Sequence, residues 1–130
     1  MEIRIPIKLI IIPILLVYNT AMLSILFGSA LREKILLYLV ECGEAYSLEL
    51  ANNFQANLFA VQSQMRRLED AGILVSRTVG KTRVYSLNPR YFLLKELTLL
   101  LKKNFLALPE DEVRTFYRPR RRPRRAGKPQ

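Results

Sequence analysis

The sequence has no histidine, no tryptophan and a single cysteine, Cys42. Without histidine, imidazole general-base chemistry and histidine metal sites are excluded. One cysteine cannot close a disulfide within the chain. In a helical apolar pattern it reads as a small hydrophobe rather than a reactive thiol. Acidic residues are also scarce: 11 Asp and Glu stand against 21 Lys and Arg, a formal charge of +10. These shortages point away from an enzyme, and no cofactor or metal site is expected. The charge balance favours a polyanionic partner, nucleic acid ahead of an anionic membrane.

The positive charge is concentrated at one end. Residues 118–130 (RPRRRPRRAGKPQ) carry six arginines, one lysine and no acid. Dense like charge and three prolines predict a disordered tail. Arg118, Arg120, Arg121, Arg122, Arg124 and Arg125 suit non-specific phosphate contact, whether with DNA or RNA. The remainder is close to charge balance, so its function has to be read from its own residues.

At the other end, residues 9–31 contain no charged side chain. A 23-residue run of this kind is long enough to cross a bilayer of roughly 30 Å. Arg4 and Lys8 precede it and Arg32 and Lys34 follow it, so flanking charge selects no orientation. Four readings compete. The first is translation beginning at Met22, with residues 1–21 a wrongly assigned extension. The second is a membrane anchor through residues 9–27. The third is an extra helix packing in a dimer, and the fourth a cleaved signal peptide. Leu26 and Phe27 are expected to pack onto the following domain, which would shorten the span available to an anchor, and Pro13 interrupts it. The first reading fits best and implies a cytoplasmic protein.

Between these ends the hydrophobic period changes twice. Residues 30–42 (ALREKILLYLVEC) place Leu31, Ile35, Leu36, Leu39 and Val40 at helical spacing, with Ser29 as N-cap and Gly43 as stop. SLELANNF (47–54) predicts a short second helix with Leu48, Leu50, Ala51 and Phe54 towards the core. After a polar QAN turn, Asn57 caps a third helix whose core stripe is Val61, Met65 and Leu68 and which Gly72 ends. ILVSRTV and TRVYSL then follow period two around Gly80-Lys81, the pattern of a β-hairpin, with Tyr85 expected in the core. Asn88-Pro89 ends the second strand. Residues 90–105 return to helical period, and Pro109 opens a short acidic helix, PEDEVRTFY. The organisation is an N-terminal segment (1–25), a central domain (26–105), a short helix (106–117) and the tail (118–130).

Helix, helix, turn, helix, hairpin, helix is the order of a winged helix-turn-helix, a mainly α fold with a β-hairpin wing in the α+β class. LFGSALREKILLYL, SLELANNF and AVQSQMRRLEDAGILVSRTVGKTRVYSLNP resemble ArsR-type winged helix-turn-helix transcriptional regulators over about residues 26–105. The most specific part is L-E-x-x-G-I-L at 68–74, followed by R-x-x-G at 77–80 and Y-x-L-N-P at 85–89. The resemblance implies sequence-specific binding of double-stranded DNA, usually by a homodimer. The family's metal-sensing variant uses paired cysteines, which this chain lacks.

On this reading the helix at about 57–71 enters the major groove, with Asn57, Phe59, Gln62, Ser63, Arg66 and Arg67 as candidate contacts. Glutamine can pair an adenine edge, arginine a guanine edge, and Phe59 can meet a thymine methyl. The wing at about 73–87 offers Arg77, Lys81 and Arg83 to the backbone. Leu94, Leu97 and Leu101 are expected at a dimer interface. Plainer readings stand beside each of these: a solvated helix face, a charge-protected strand edge, and packing of the last helix within one chain. Three other functions compete: an RNA- or ribosome-associated basic winged-helix protein, a protein-binding adaptor, and a membrane-tethered DNA-binding regulator. RNA binding calls for aromatic stacking platforms, and neither the third helix nor the hairpin supplies them.

Overall fold

The computed structural model describes residues 23–118. Residues 1–22, with the start-site and anchor readings that fall on them, lie outside the described residues, as do 119–130. A helical run at 23–27 leads into α1 (Ala30–Cys42). Ser29 caps α1 as expected, its Oγ accepting from the Arg32 N–H at 3.1 Å. At the other end Gly43 adopts φ +94° and donates its N–H to Leu39 O, a conformation that favours glycine.

The sequence pattern gives α1 a single apolar face, but the structure buries it nearly all round, with Ile35 to Leu39 enclosed without interruption. The second cover comes from two other segments, one adjacent in the chain and one distant. Strand β1 (Glu44–Tyr46) follows α1 directly and packs back on it. After Pro109 the chain forms one helical turn, Glu110–Glu112, and a wider π turn, Val113–Tyr117, which also lies on α1. Tyr117 is buried there against Phe54 and Phe105, and its carbonyl accepts from Cys42 Sγ at 3.4 Å. Cys42 is half-buried at the core edge, as its pattern implied.

Helix α2 (Ser47–Phe54) buries Leu50, Ala51 and Phe54. Leu48, expected inward, is instead half-exposed because it lies on the flank of this two-turn helix, away from the centre of the Leu50–Ala51–Phe54 face. Gln55 takes a left-handed conformation (φ +53°) and turns the chain through residues 55–57 into α3 (Leu58–Asp70). Asn57 Oδ1 accepts from the Ala60 N–H at 3.1 Å, and Val61, Met65 and Leu68 face the core. Ala71 and Gly72 then release the chain into strands β2 (Leu74–Val79) and β3 (Thr82–Leu87), joined through Gly80 at φ +65°. β1, too short to carry a periodic signal, pairs with the other edge of β3. The result is an antiparallel sheet in the order β1-β3-β2.

Register fixes the two faces of the sheet. Ala45, Tyr85 and Ser76 lie in one row facing the helices, whereas Tyr46, Val84 and Arg77 lie in a row facing away. Asn88 closes the base of the hairpin, its N–H donating to Ile73 O and its Nδ2 to Gly72 O.

Helix α4 (Leu94–Leu106) packs along α1. Here one expectation needs correction. Leu101, placed by the sequence at a dimer interface, is 0% exposed within a single chain. It lies four residues after half-buried Leu97, on the stripe that faces α1. The apolar side chains that α4 leaves uncovered are Leu99, at 60% exposed, Leu100, at 40%, and Leu106, at 84%, and exposed Phe92 lies in the turn just before the helix. The fold is therefore mainly helical with a small three-stranded antiparallel sheet, an α+β arrangement. Among the described residues no helix is long and apolar enough to cross a membrane.

Candidate nucleic-acid interface

Three core residues on one side of α3 decide what the rest of the helix can do. With Val61, Met65 and Leu68 inward, Phe59, Ser63 and Arg66 form an outward row spaced four and three residues apart. Phe59 is 73% exposed, an uncovered aromatic ring on an otherwise polar face. Arg66 is exposed and makes no ion pair among the described residues. The cap contact of Asn57 occupies its carbonyl oxygen and leaves its amide donors at the helix start.

Gln62 and Arg66 also border a polar cleft of about 320 Å³ between α3 and β3, with Ser47, Glu69, Arg83 and Tyr85. Arg83 reaches across from the sheet. It donates to Ser76 Oγ at 3.1 Å and stands 3.7 Å from Glu69, whose other oxygen accepts from Ser76 Oγ at 2.6 Å. This network ties the hairpin to α3 and neutralises part of the Arg83 charge. Burial raises the Tyr85 phenol above its ordinary pKa, with the Glu69 charge adding to the effect.

The remaining predicted contacts are not all on this surface. Arg67 points to the other flank of α3, where it borders a second cleft with Arg32 and Asp70. Arg77 lies on the outer sheet face, two strands across from Glu44, and the two form a 2.9 Å ion pair. That carboxylate holds the Arg77 guanidinium proton more tightly than usual. Alternation therefore sends Arg77 and Arg83 to opposite faces. Lys81, at the exposed tip, has no hydrogen bond or ion pair among the described residues. The arginine tail begins at exposed Arg118, directly after buried Tyr117. Asn53 Nδ2, near the end of α2, donates to Phe116 O, which fixes the root of the tail close to the α2–α3 turn. Arg120, Arg121, Arg122, Arg124 and Arg125 lie outside the described residues.

Sequence reasoning missed both carboxylates that occupy the hairpin arginines. Glu69 could be found from helical phase alone, since it follows Met65 and Gln62 around the flank of α3. Glu44 could not, because its role depends on the β1–β3 register.

A second polar feature lies under α1. Glu33 is 4% exposed, and its Oε1 accepts from Ser24 Oγ at 3.0 Å. Burial raises its carboxyl pKa, with the Glu112 charge adding to the shift and Ser24 and Lys34 opposing it. Among the described residues no group of three or more His, Cys, Asp or Glu side chains is arranged to hold a metal ion. No protein-family model matches the chain, and no curated protein is significantly similar to it.

Proposed function

We propose that this chain is a winged helix-turn-helix protein of the ArsR type that binds double-stranded DNA and regulates transcription. In this reading α2 and α3 are the helix pair and the β2–β3 hairpin is the wing. The observation that carries it is the outward row of α3, in which a capped helix holds Phe59 and Arg66 exposed and Ser63 partly exposed. An α-helix fits the major groove, and this row offers an apolar contact, a hydroxyl and a guanidinium to base edges. Lys81 at the tip and the arginine-rich end add sequence-independent phosphate contacts. The uncovered Leu99 and Leu106 on α4, with Phe92 in the turn before it, suit pairing with a second copy, which brings two recognition helices to paired half-sites.

Selection from a random duplex library, followed by gel-shift assays on the enriched sequence, tests the proposal. A recurring motif with two related halves is expected. Enrichment of no duplex sequence, or equal affinity for single-stranded RNA of random sequence, refutes it.

A further inference from the structure

A cleft of about 680 Å³ opens on the flank of α3 away from the hairpin. This volume lies in the range of small-molecule sites. Its inner wall is apolar, made by Phe27, Leu36, Leu68 and Leu97. Its polar groups are Arg32, Arg67, Asp70 and Tyr91. Five chain segments meet there: the 23–27 run, the start of α1, the last turn of α3, the 71–73 connection and the α4 region.

The charge inside this cleft is unbalanced. Arg32 is held in place by neutral acceptors only: its Nε donates to Gln64 Oε1 at 2.8 Å and its Nη1 to the Phe27 carbonyl. Neither Arg32 nor Arg67 forms an ion pair among the described residues, although Asp70 borders the same cleft. A fixed, partly buried guanidinium without a carboxylate partner is a ready acceptor of a carboxylate, because a charge-assisted bidentate pair then replaces lost hydration. An apolar wall beside this fixed guanidinium, with the exposed Arg67 at the same cleft, calls for a ligand with one anionic end and one hydrocarbon body.

We propose that this cleft binds a small amphipathic carboxylate, its head group on Arg32 and Arg67 and its apolar body against Leu36, Leu68 and Leu97. The site touches the last turn of α3 and Ile73 at the base of the hairpin, and it leaves the Phe59–Ser63–Arg66 row clear. Binding therefore acts on the position of α3 without covering its outer row. That consequence rests on the DNA-binding reading; the ligand site itself does not.

Titration calorimetry on the full chain with decanoate, and with decanol as the uncharged comparison, tests the site. Decanoate is expected to bind once per chain. Decanol is expected to bind at least about tenfold more weakly, the loss of a charge-assisted contact. Arg67→Glu and Leu26→Glu, the latter a largely exposed position at the cleft mouth, should each weaken decanoate binding by roughly tenfold or more. Lys102→Glu, the same charge change as Arg67→Glu but on α4 and outside the cleft lining, should leave it unchanged. Equal binding of decanol, equal effects of Lys102→Glu and Arg67→Glu, or no binding by the full chain overturns the proposal. If calorimetry shows the expected pattern while no duplex is ever selected, the ligand site stands and the DNA-binding reading falls.

Discussion

Leu101→Ala separates a core role from an interface role. Leu101 is fully enclosed, among Leu97, Phe105 and the buried face of α1. Truncation removes buried methyl groups and leaves a cavity that packed helices close only in part. A buried leucine treated this way costs about 3 kcal/mol, within a general range of roughly 2–5. With a urea dependence of about 1.5 kcal/mol per molar, the unfolding midpoint falls by about 2 M. That is a large share of the roughly 5–15 kcal/mol that holds a domain together. Leu99→Ala, two residues away on the exposed side, should move the midpoint by no more than about 0.3 M, the scale of a surface change near 0.5 kcal/mol. Urea titrations followed by circular dichroism at several protein concentrations measure both. The Leu101→Ala loss should persist at every concentration, because it belongs to one chain. A midpoint close to wild type at high concentration, where any dimer is fully formed, refutes the placement of Leu101 in the core. Leu99→Glu with Leu106→Glu should instead lower the sedimentation mass while leaving helical content intact.

Three further outcomes are expected. Asn57→Ala removes the α3 cap and should cost about 1 kcal/mol, lowering Tm in calorimetry by roughly 4–8 °C; Asn57→Ser keeps an oxygen at the cap and should recover most of that loss. Lys81→Ala should weaken binding to all duplexes and flatten the slope of log K against log salt by about 0.9 if one phosphate contact is lost, whereas Arg77→Ala, already paired with Glu44, should leave the slope near wild type. Glu33 has a raised carboxyl pKa, so its protonated form is the one the fold favours and its contribution is lost as pH rises through the folded-state value. Glu33→Gln should therefore raise thermal stability at neutral pH, with the gain vanishing below the ordinary carboxyl pKa; a gain that is the same at pH 4 and pH 7 contradicts the burial argument.

Local signals in the sequence determined most of the elements. Ser29 and Asn57 cap helices because a short side-chain oxygen can reach the N–H three residues on, a relation contained within a few residues. Gly43, Gly72 and Gly80 stop or turn the chain at positive φ, again a local matter. The stripe Val61, Met65, Leu68 followed from helical period, and with it the outward row that includes Phe59 and Ser63. Tertiary structure decided the rest. Which of the many leucines on α4 are buried depended on where α1 lies, and α1 is enclosed nearly all round because β1 and residues 113–117 also pack on it. Strand β1 exists because β3 offers it an unpaired edge; three residues carry no period of their own. The β1–β3–β2 register then brings Glu44 to Arg77, and the packing of the hairpin on α3 brings Glu69 to Arg83. Two of the three cations expected on the hairpin are thus held by carboxylates distant in sequence. Charge that looks available in a linear sequence can be neutralised only by side chains that folding brings within ion-pair distance.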